Sequence, residues 1–144
     1  MKVYIDTNVV VARSVTQHEH QARAVEFFHS VERNRWIPTI STHGLAEIYS
    51  ILTRAPYQPR ISPAEAWQIL ERNVVERFEM EPLNRDDYVK IVKESALVGW
   101  IGGRIYDAIH VQAARKAGCK RIYTFNVHDF RQLAPDLLDR IMAP

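Results

Sequence analysis

Hydrophobic and polar residues follow two different periods along this chain. Short runs of β-branched and aromatic residues predict strands at residues 3–5, 36–40, 75–80 and 120–125, with a last short strand near 140–142. Between these runs, apolar residues recur at helical spacing over residues 19–32, 43–54, 63–74, 85–97 and 104–117. Strands that alternate with helices predict an α/β fold, with a mostly parallel central β-sheet that helices cover on both faces.

Local signals indicate where several helices begin and end. Ser62 and Glu65 form the pattern of a capping box around Pro63, which predicts the start of the helix over 63–74. Asn84 is the predicted N-cap of the helix over 85–97, and Gly118 is expected to end the helix over 104–117.

The composition indicates one globular domain over residues 1–144, with 47% hydrophobic and 25% charged residues. A formal charge of +2 is compatible with a polyanionic partner but too small to indicate one. The single cysteine, Cys119, excludes an internal disulfide and favours a reducing compartment, which we expect to be the cytoplasm. No apolar run is long enough to span a membrane, and the strand-like first ten residues are expected to belong to the fold rather than to a signal peptide.

Four acidic residues follow the predicted strands. Asp6 ends the first strand, and Glu47 lies in the helix after the second. Asp107 lies in the first turn of the helix over 104–117, and Asp129 follows the strand at 120–125. Because the carboxyl ends of parallel strands share one edge of the sheet, we expect these carboxylates to converge.

Each carboxylate also has a simpler explanation. Asp6 and Asp129 could cap helices, Asp107 could complement a helix dipole, and Glu47 could be an ordinary surface residue. These explanations weaken when the four are taken together, because clustered carboxylates repel and require protons or cations. Oxygen ligands without cysteine favour Mg²⁺ or Mn²⁺ over zinc, and a pair of such ions about 3.5–4 Å apart would suit phosphodiester hydrolysis.

The ordered set of motifs resembles the PIN domain, and more narrowly the VapC-type toxins of bacterial and archaeal toxin–antitoxin modules. The resemblance spans essentially the whole chain. It rests on Asp6-Thr7-Asn8, Glu47, Gly103-Arg104-Ile105-Tyr106-Asp107-Ala108-Ile109-His110, Thr124-Phe125-Asn126 and Asp129-Phe130. It implies a PIN-like domain with a parallel sheet between helices, and a metal-dependent endoribonuclease activity.

The resemblance also implies roles for individual residues. The acidic positions that bind Mg²⁺ or Mn²⁺ and carry catalysis are matched by Asp6, Glu47, Asp107 and Asp129. Thr7, Asn8 and Thr124 match small polar positions that orient the carboxylates or a metal-bound water. Asn126 stands where many relatives have another aspartate, so either Asn126 or Asp129 completes the site.

The partners implied by the resemblance are an RNA substrate, a second copy of the chain in a homodimer, and a VapB-type antitoxin whose tail crosses the active-site groove. Tyr49, Ile51 and Tyr57 are additional to the apolar residues that the helix over 43–54 needs for its own packing. They are candidates for a partner surface, unless the helix over 63–74 covers them within the monomer.

Three further residues are candidates for substrate binding. Arg13 and Arg104 are expected near the acidic edge and could hold phosphates, although surface or ion-paired arginine explains them equally well. His110 lies on the same helical face as Asp107, where it either contacts substrate or, as we favour, packs with its ring hydrogen-bonded.

Two functions follow from these expectations. The first is a metal-dependent endoribonuclease. The alternative is a non-catalytic PIN-like module that binds RNA or protein, and Asn126 is the one residue that favours it.

Overall fold

The computed structural model describes residues 1–144 and contains five strands and seven helices. The strands are β1 (Lys2–Ile5), β2 (Ile37–Ser41), β3 (Glu79–Glu81), β4 (Arg121–Tyr123) and β5 (Ile141–Met142). The helices are α1 (Thr7–Ser14), α2 (Gln21–Arg33), α3 (Thr42–Arg54), α4 (Pro63–Leu70), α5 (Arg85–Val98), α6 (Arg104–Lys116) and α7 (Val127–Leu133). A π-helical turn, Glu71–Val75, extends α4, and a 3₁₀ turn, Pro135–Arg140, precedes β5. None of the helices combines the length and the apolar character needed to cross a membrane.

All five strands run parallel in the order β3-β2-β1-β4-β5. The central strand β1 pairs Ile5 with Tyr123 of β4 and Lys2 with Ile37 of β2. The expected α/β fold with a parallel sheet is therefore confirmed, and the carboxyl ends of β1, β2 and β4 meet at one edge.

Alternate side chains of β1 enter two cores on opposite faces of the sheet. Val3 and Ile5 belong to the larger core, which α1, α2, α3 and α4 cover. Tyr4 belongs to the smaller core, with residues of α6 and α7. Because side chains alternate across a strand, two adjacent residues of β1 serve opposite layers, and the expected helices on both faces are confirmed.

Several predicted helix ends are confirmed by hydrogen bonds. Ser62 and Glu65 form the capping box of α4, and Asn84 caps α5 by accepting from the Asp87 N–H at 2.9 Å. Gly118 follows α6 with a φ of +71°, a left-handed conformation that glycine adopts without steric cost.

The strand predicted over residues 75–80 is wrong in its first half. The chain continues from α4 into the π-helical turn, and the Phe78 N–H still donates to the Val74 carbonyl at 2.8 Å. Alternation of apolar residues in so short a segment does not distinguish a strand from the end of a helix. Only Glu79–Glu81 joins the sheet.

The inward face of α2 also differs from the predicted one. Helical spacing of Ala22 with Phe28 and Val31 predicts that Ala22 faces inward. It is exposed, whereas Ala24 and Phe27 are buried beside Phe28 and Val31. The helix begins at Gln21 rather than at residue 19, and its buried stripe passes through a different set of positions.

Candidate active site

Asp6 lies at the carboxyl end of β1, where it serves α1 and the site together. Its backbone N–H donates to the Tyr123 carbonyl at 2.9 Å, which extends the pairing of β1 with β4. Its Oδ1 accepts from the Thr7 N–H at 2.7 Å, and its Oδ2 accepts from the Thr124 hydroxyl at 2.7 Å. The side chain is only 4% exposed. Asp6 therefore caps a helix and also places a fixed carboxylate at the edge of the sheet.

Small polar residues hold the loop after β4 against α1. The Thr124 hydroxyl accepts from Asn8 Nδ2 at 3.2 Å and from the Asn126 N–H at 3.0 Å. Asn8 Oδ1 accepts from the Phe125 N–H at 3.3 Å. With its hydroxyl oxygen occupied in this way, Thr124 directs its single proton to Asp6, so the orientation of that carboxylate is fixed from two elements.

The start of α3 brings Glu47 to the same edge. The Ser41 hydroxyl accepts from the Gly44 N–H at 2.9 Å and caps the helix. Gly44 lies so close to β2 that a Cβ there would be 2.7 Å from Ile40 Cγ1, so a larger residue would push the helix away. One turn later, Glu47 Oε1 lies 3.1 Å from the Thr7 hydroxyl, which is also 3.3 Å from Asp6 Oδ1. Thr7 thus joins the two carboxylates through one shared proton.

Two histidines contact Glu47. His110 Nε2 lies 3.0 Å from Glu47 Oε2 and 3.9 Å from Asp6 Oδ1, and its side chain is 1% exposed. Because His110 does not reach the surface, it cannot contact substrate, and the packed, hydrogen-bonded interpretation is the one that agrees with the structure. His43 Nε2 lies 3.3 Å from Glu47 Oε2, and its ring stacks on Tyr106 with centroids 5.4 Å apart.

Sequence reasoning missed His43 and Tyr4. The separation of four residues between His43 and Glu47 on a predicted helix was a signal that the two side chains meet. Tyr4 hydrogen-bonds to His110 across 106 positions of sequence, and nothing local indicates that pairing. A buried tyrosine in a central strand does, however, require a partner for its hydroxyl.

The electrostatics of the site reflect crowded carboxylates. Burial, together with the charges of Asp6, Glu47 and Asp129, raises the pKa of Asp107 to about 6. Burial also raises the pKa of Asp6, although His110 opposes that shift. Burial alone would raise the pKa of Glu47, but the hydrogen bond from His110 and the charge of His110 bring this pKa below its ordinary value. Burial alone would lower the pKa of His110, but the bond to Glu47 and the charge of Asp6 raise it.

The chemistry of this donor set fits a hard divalent cation. The four acidic side chains offer only oxygen atoms, and their ion pairs involve histidines and neither lysine nor arginine. No three side chains are already arranged as a complete set of metal ligands. Asp107 is partly exposed and Asp129 is exposed, so these two have room to turn toward an ion while Asp6 and Glu47 stay fixed.

The two remaining polar candidates lie in α7 or just before it. Asn126 is exposed at the N-cap position of α7, and its side chain makes no capping hydrogen bond. Asp129 is exposed in the first turn of α7, and its charge contributes to the raised pKa of Asp107. Asp129 therefore lies within electrostatic reach of the other carboxylates.

The two arginines have different positions. The Arg13 guanidinium lies over the Phe28 ring, 4.2 Å from its centroid, and lines a groove with Trp36 and Phe78. Trp36 and Phe78 directly precede β2 and β3, so they lie at the amino ends of the strands, opposite the acidic edge. The prediction that Arg13 lies near the acidic edge is therefore wrong. Arg104 begins α6 and donates to Gln132 Oε1 of α7 at 3.1 Å, while its buried Nε has no hydrogen-bond partner.

The apolar residues predicted as a partner surface divide into two groups. Ile51 and Tyr57 pack against the larger core, so the monomer covers them in part. Tyr49 remains 40% exposed on α3.

Replacing Asp107 with Asn is expected to stabilise the metal-free protein at neutral and higher pH. The folded pKa of about 6 exceeds the ordinary value of 3.8, so wild-type stability falls as the pH rises through this window and stays lower above it. The variant carries no charge, so it avoids both the cost of burying a carboxylate and the repulsion from Asp6 and Glu47. The difference in melting temperature, measured in chelator, should therefore be small near pH 4 and reach its full size above about pH 6. A difference independent of pH would show that Asp107 is not under electrostatic strain.

Known proteins share both the sequence motifs and the fold of this chain. A family model of the PIN domain matches residues 3–134. The ribonuclease VapC40 of Mycobacterium tuberculosis is 32% identical over 115 residues, which are 80% of either chain. The fold is similar to that of VapC20 of Mycobacterium tuberculosis, a toxin that cleaves the sarcin–ricin loop (TM-score 0.71, 16% identity, 93% of this chain and 94% of that chain). It is also similar to VapBC2 of Rickettsia felis, solved bound to a DNA fragment from its promoter (TM-score 0.69, 17% identity, 99% and 97%).

Proposed function

Since the chain belongs to the PIN-domain family and, within it, to the VapC ribonucleases, we propose that it is a metal-dependent endoribonuclease that hydrolyses RNA phosphodiester bonds. One observation carries the proposal. Asp6 and Glu47 are fixed side by side at the carboxyl edge of a parallel sheet, and Asp107 bears the repulsion of their charges. Carboxylates crowded at this edge without a lysine or arginine partner suit cation binding.

Asp6, Glu47, Asp107 and Asp129 are the residues that we propose hold Mg²⁺ or Mn²⁺. Such an ion, when bound, would activate water and stabilise the leaving oxygen of the cleaved bond. We favour Asp129 over Asn126 as the fourth ligand because its charge already acts on Asp107.

The surrounding residues keep this site in place for substrate. Thr7 and Thr124 fix the Asp6 carboxylate, and Asn8 ties α1 to the loop after β4. We propose that Arg104 contacts an RNA phosphate, since it is partly exposed and begins α6, one turn before Asp107.

Incubation of the purified chain with RNA tests this function. We expect cleavage with Mg²⁺ or Mn²⁺, no cleavage in the presence of EDTA, and recovery when Mn²⁺ is added in excess. The alternative, a non-catalytic module that binds RNA or protein, predicts intact RNA under all three conditions. Intact RNA with bound Mn²⁺ would favour that alternative and contradict the nuclease proposal.

We further propose that the chain is the toxin of a VapBC-type pair and acts in the cytoplasm, where its RNA substrate lies. The similarity to VapBC2, a toxin–antitoxin complex, supports a VapB-type antitoxin as partner. An arginine or lysine of that partner would find a cluster of carboxylates with no lysine or arginine of this chain paired to them. Pairing with them would neutralise the site and exclude the metal, which is sufficient to inhibit cleavage.

We also propose that the chain forms a homodimer. Five large apolar side chains on α5 and in the loop after it have half or more of their area exposed. They are Val89, Val92, Leu97, Val98 and Ile101. Large exposed apolar side chains concentrated on one helix and its following loop are typical of an interface between subunits. Nothing within the monomer covers these five side chains.

A further inference from the structure

We propose that Tyr4 and His110 are positioning residues that hold Glu47 in the orientation needed for metal binding. The inference rests on the proposed function, because it concerns the metal site described above. It assigns a role to two buried residues that lie behind the carboxylates and are not proposed as metal ligands.

The three contacts form one continuous chain. The Ser41 N–H donates to the Tyr4 hydroxyl oxygen at 3.1 Å, and the Tyr4 hydroxyl lies 2.7 Å from His110 Nδ1. His110 Nε2 lies 3.0 Å from Glu47 Oε2. Tyr4 has no exposed area and His110 has almost none, so water does not compete for the bonds that join Ser41, Tyr4 and His110. The chain links the end of β2 to the carboxylate through the interior.

The direction of each hydrogen bond follows from what each group can do. A backbone N–H only donates, so the Tyr4 oxygen accepts from Ser41. The Tyr4 proton is donated to Nδ1 when His110 is neutral, and Nδ1–H donates to the Tyr4 oxygen when His110 is protonated. The Glu47 carboxylate only accepts, so His110 Nε2–H must donate to it. In the neutral form Tyr4 thereby selects the histidine tautomer whose proton faces Glu47, and the protonated form carries that proton as well, so Glu47 always meets a donor.

Core packing alone does not explain this pair. A phenol and an imidazole are costly to bury, and the imidazole Nε2–H would be unpaired without Glu47. Glu47, in contrast, is 27% exposed and has a long side chain that would sample several rotamers if it were free. Bonds from His110 on Oε2 and from Thr7 on Oε1 restrict both of its oxygens. The effect of this series of hydrogen bonds is therefore to restrict the orientation of the Glu47 carboxylate.

Two substitutions at His110 separate positioning from packing. Gln places an amide nitrogen near the position of Nε2 and keeps a donor toward Glu47, whereas Asn places its amide near Nδ1 and loses that donor. We would titrate Mn²⁺ by calorimetry into the wild type, His110→Gln, His110→Asn, Glu47→Gln and the double variant His110→Asn/Glu47→Gln. Melting curves in EDTA report the structural cost of each change separately.

We expect His110→Asn to weaken Mn²⁺ binding by about tenfold or more, the range typical of residues that hydrogen-bond to a metal ligand. His110→Gln should bind Mn²⁺ nearly as the wild type does, even if both variants melt at lower temperature. The double variant should bind no more weakly than Glu47→Gln alone, because His110 acts through Glu47. Tyr4→Phe should weaken binding in the same direction as His110→Asn.

Distinct outcomes would overturn the positioning role and the proposed function. Mn²⁺ binding by His110→Asn equal to that of the wild type, while Glu47→Gln binds weakly, would leave Tyr4 and His110 as core residues only. Equal losses in His110→Asn and His110→Gln, or additive losses in the double variant, would contradict a role through Glu47. Wild-type binding by Glu47→Gln would overturn this inference and leave the nuclease proposal standing. A wild-type chain that binds no Mn²⁺ would overturn both.

Discussion

Replacing either Asp6 or Asp107 with Asn is expected to reduce RNA cleavage by at least about a hundredfold while the chain stays folded. The charge stabilisation that a bound ion provides is worth several kcal/mol, and each 1.4 kcal/mol is about tenfold in rate. Asn keeps the size of the side chain, so packing is preserved. Cleavage of RNA in Mg²⁺, measured beside a melting curve for each variant, checks the expectation.

The matched control is Asp139→Asn, which makes the same chemical change at an exposed aspartate in the turn before β5. Asp139 makes no ion pair and lies on a different element from the four carboxylates, so its replacement should leave cleavage unchanged. Wild-type rates in both Asp6→Asn and Asp107→Asn would show that the acidic edge is not the active site.

Expression of the isolated chain in a bacterial host is expected to arrest growth. A ribonuclease with an open site and no inhibitor degrades RNA that the host requires, so colony counts should fall by orders of magnitude on induction. Co-expression of the cognate VapB-type partner should restore growth. Plating after induction, with protein levels followed by immunoblot, measures the effect.

The Asp6→Asn variant provides the control for growth arrest, since it should accumulate to the same level without harm. A variant as toxic as the wild type would show that the toxicity does not come from RNA cleavage. Harmless accumulation of folded, metal-binding wild-type chain would contradict the toxin assignment and leave a PIN-type nuclease.

The acidic edge was predictable because it follows from topology. Once strands and helices alternate, the sheet is parallel, and residues that follow its strands share an edge whatever their separation in sequence. Asp6, Thr124 and α3 meet for this reason: Thr124 donates to Asp6, and Glu47 of α3 accepts from Thr7, the residue after Asp6. The strand ends needed to be located only to within a few residues.

The position of Arg13 was not predictable in the same way. The residues after Asp6 were not assigned to a helix, yet α1 occupies Thr7–Ser14. At 1.5 Å per residue, that helix carries Arg13 about 10 Å from Asp6, and it reaches the aromatic groove instead of the acidic edge. Because this helix was not predicted, the direction in which the chain leaves Asp6, and with it the position of Arg13, could not be predicted.

The contacts of Tyr4, His110 and Glu47 show a second limit of prediction from sequence. Each pattern assigned its residue correctly to a strand or to a helix, but hydrogen bonds between side chains from three elements depend on packing distances of a few tenths of an ångström. Periodicity fixes which face a residue occupies and leaves the partner of its polar atom open. Long-range polar partners therefore require the structure.

Calorimetric titration of Mn²⁺ into the wild type and into Asp6→Asn tests most directly whether the carboxylates at the sheet edge form a metal site. The titration requires neither the identity of the RNA nor that of the antitoxin, and Asp139→Asn serves again as the control. We expect saturable binding to the wild type and to Asp139→Asn, and binding at least about tenfold weaker to Asp6→Asn, since a ligand is lost. Equal affinity for Mn²⁺ in the wild type and in Asp6→Asn, or no binding to either, would contradict a metal site at this edge.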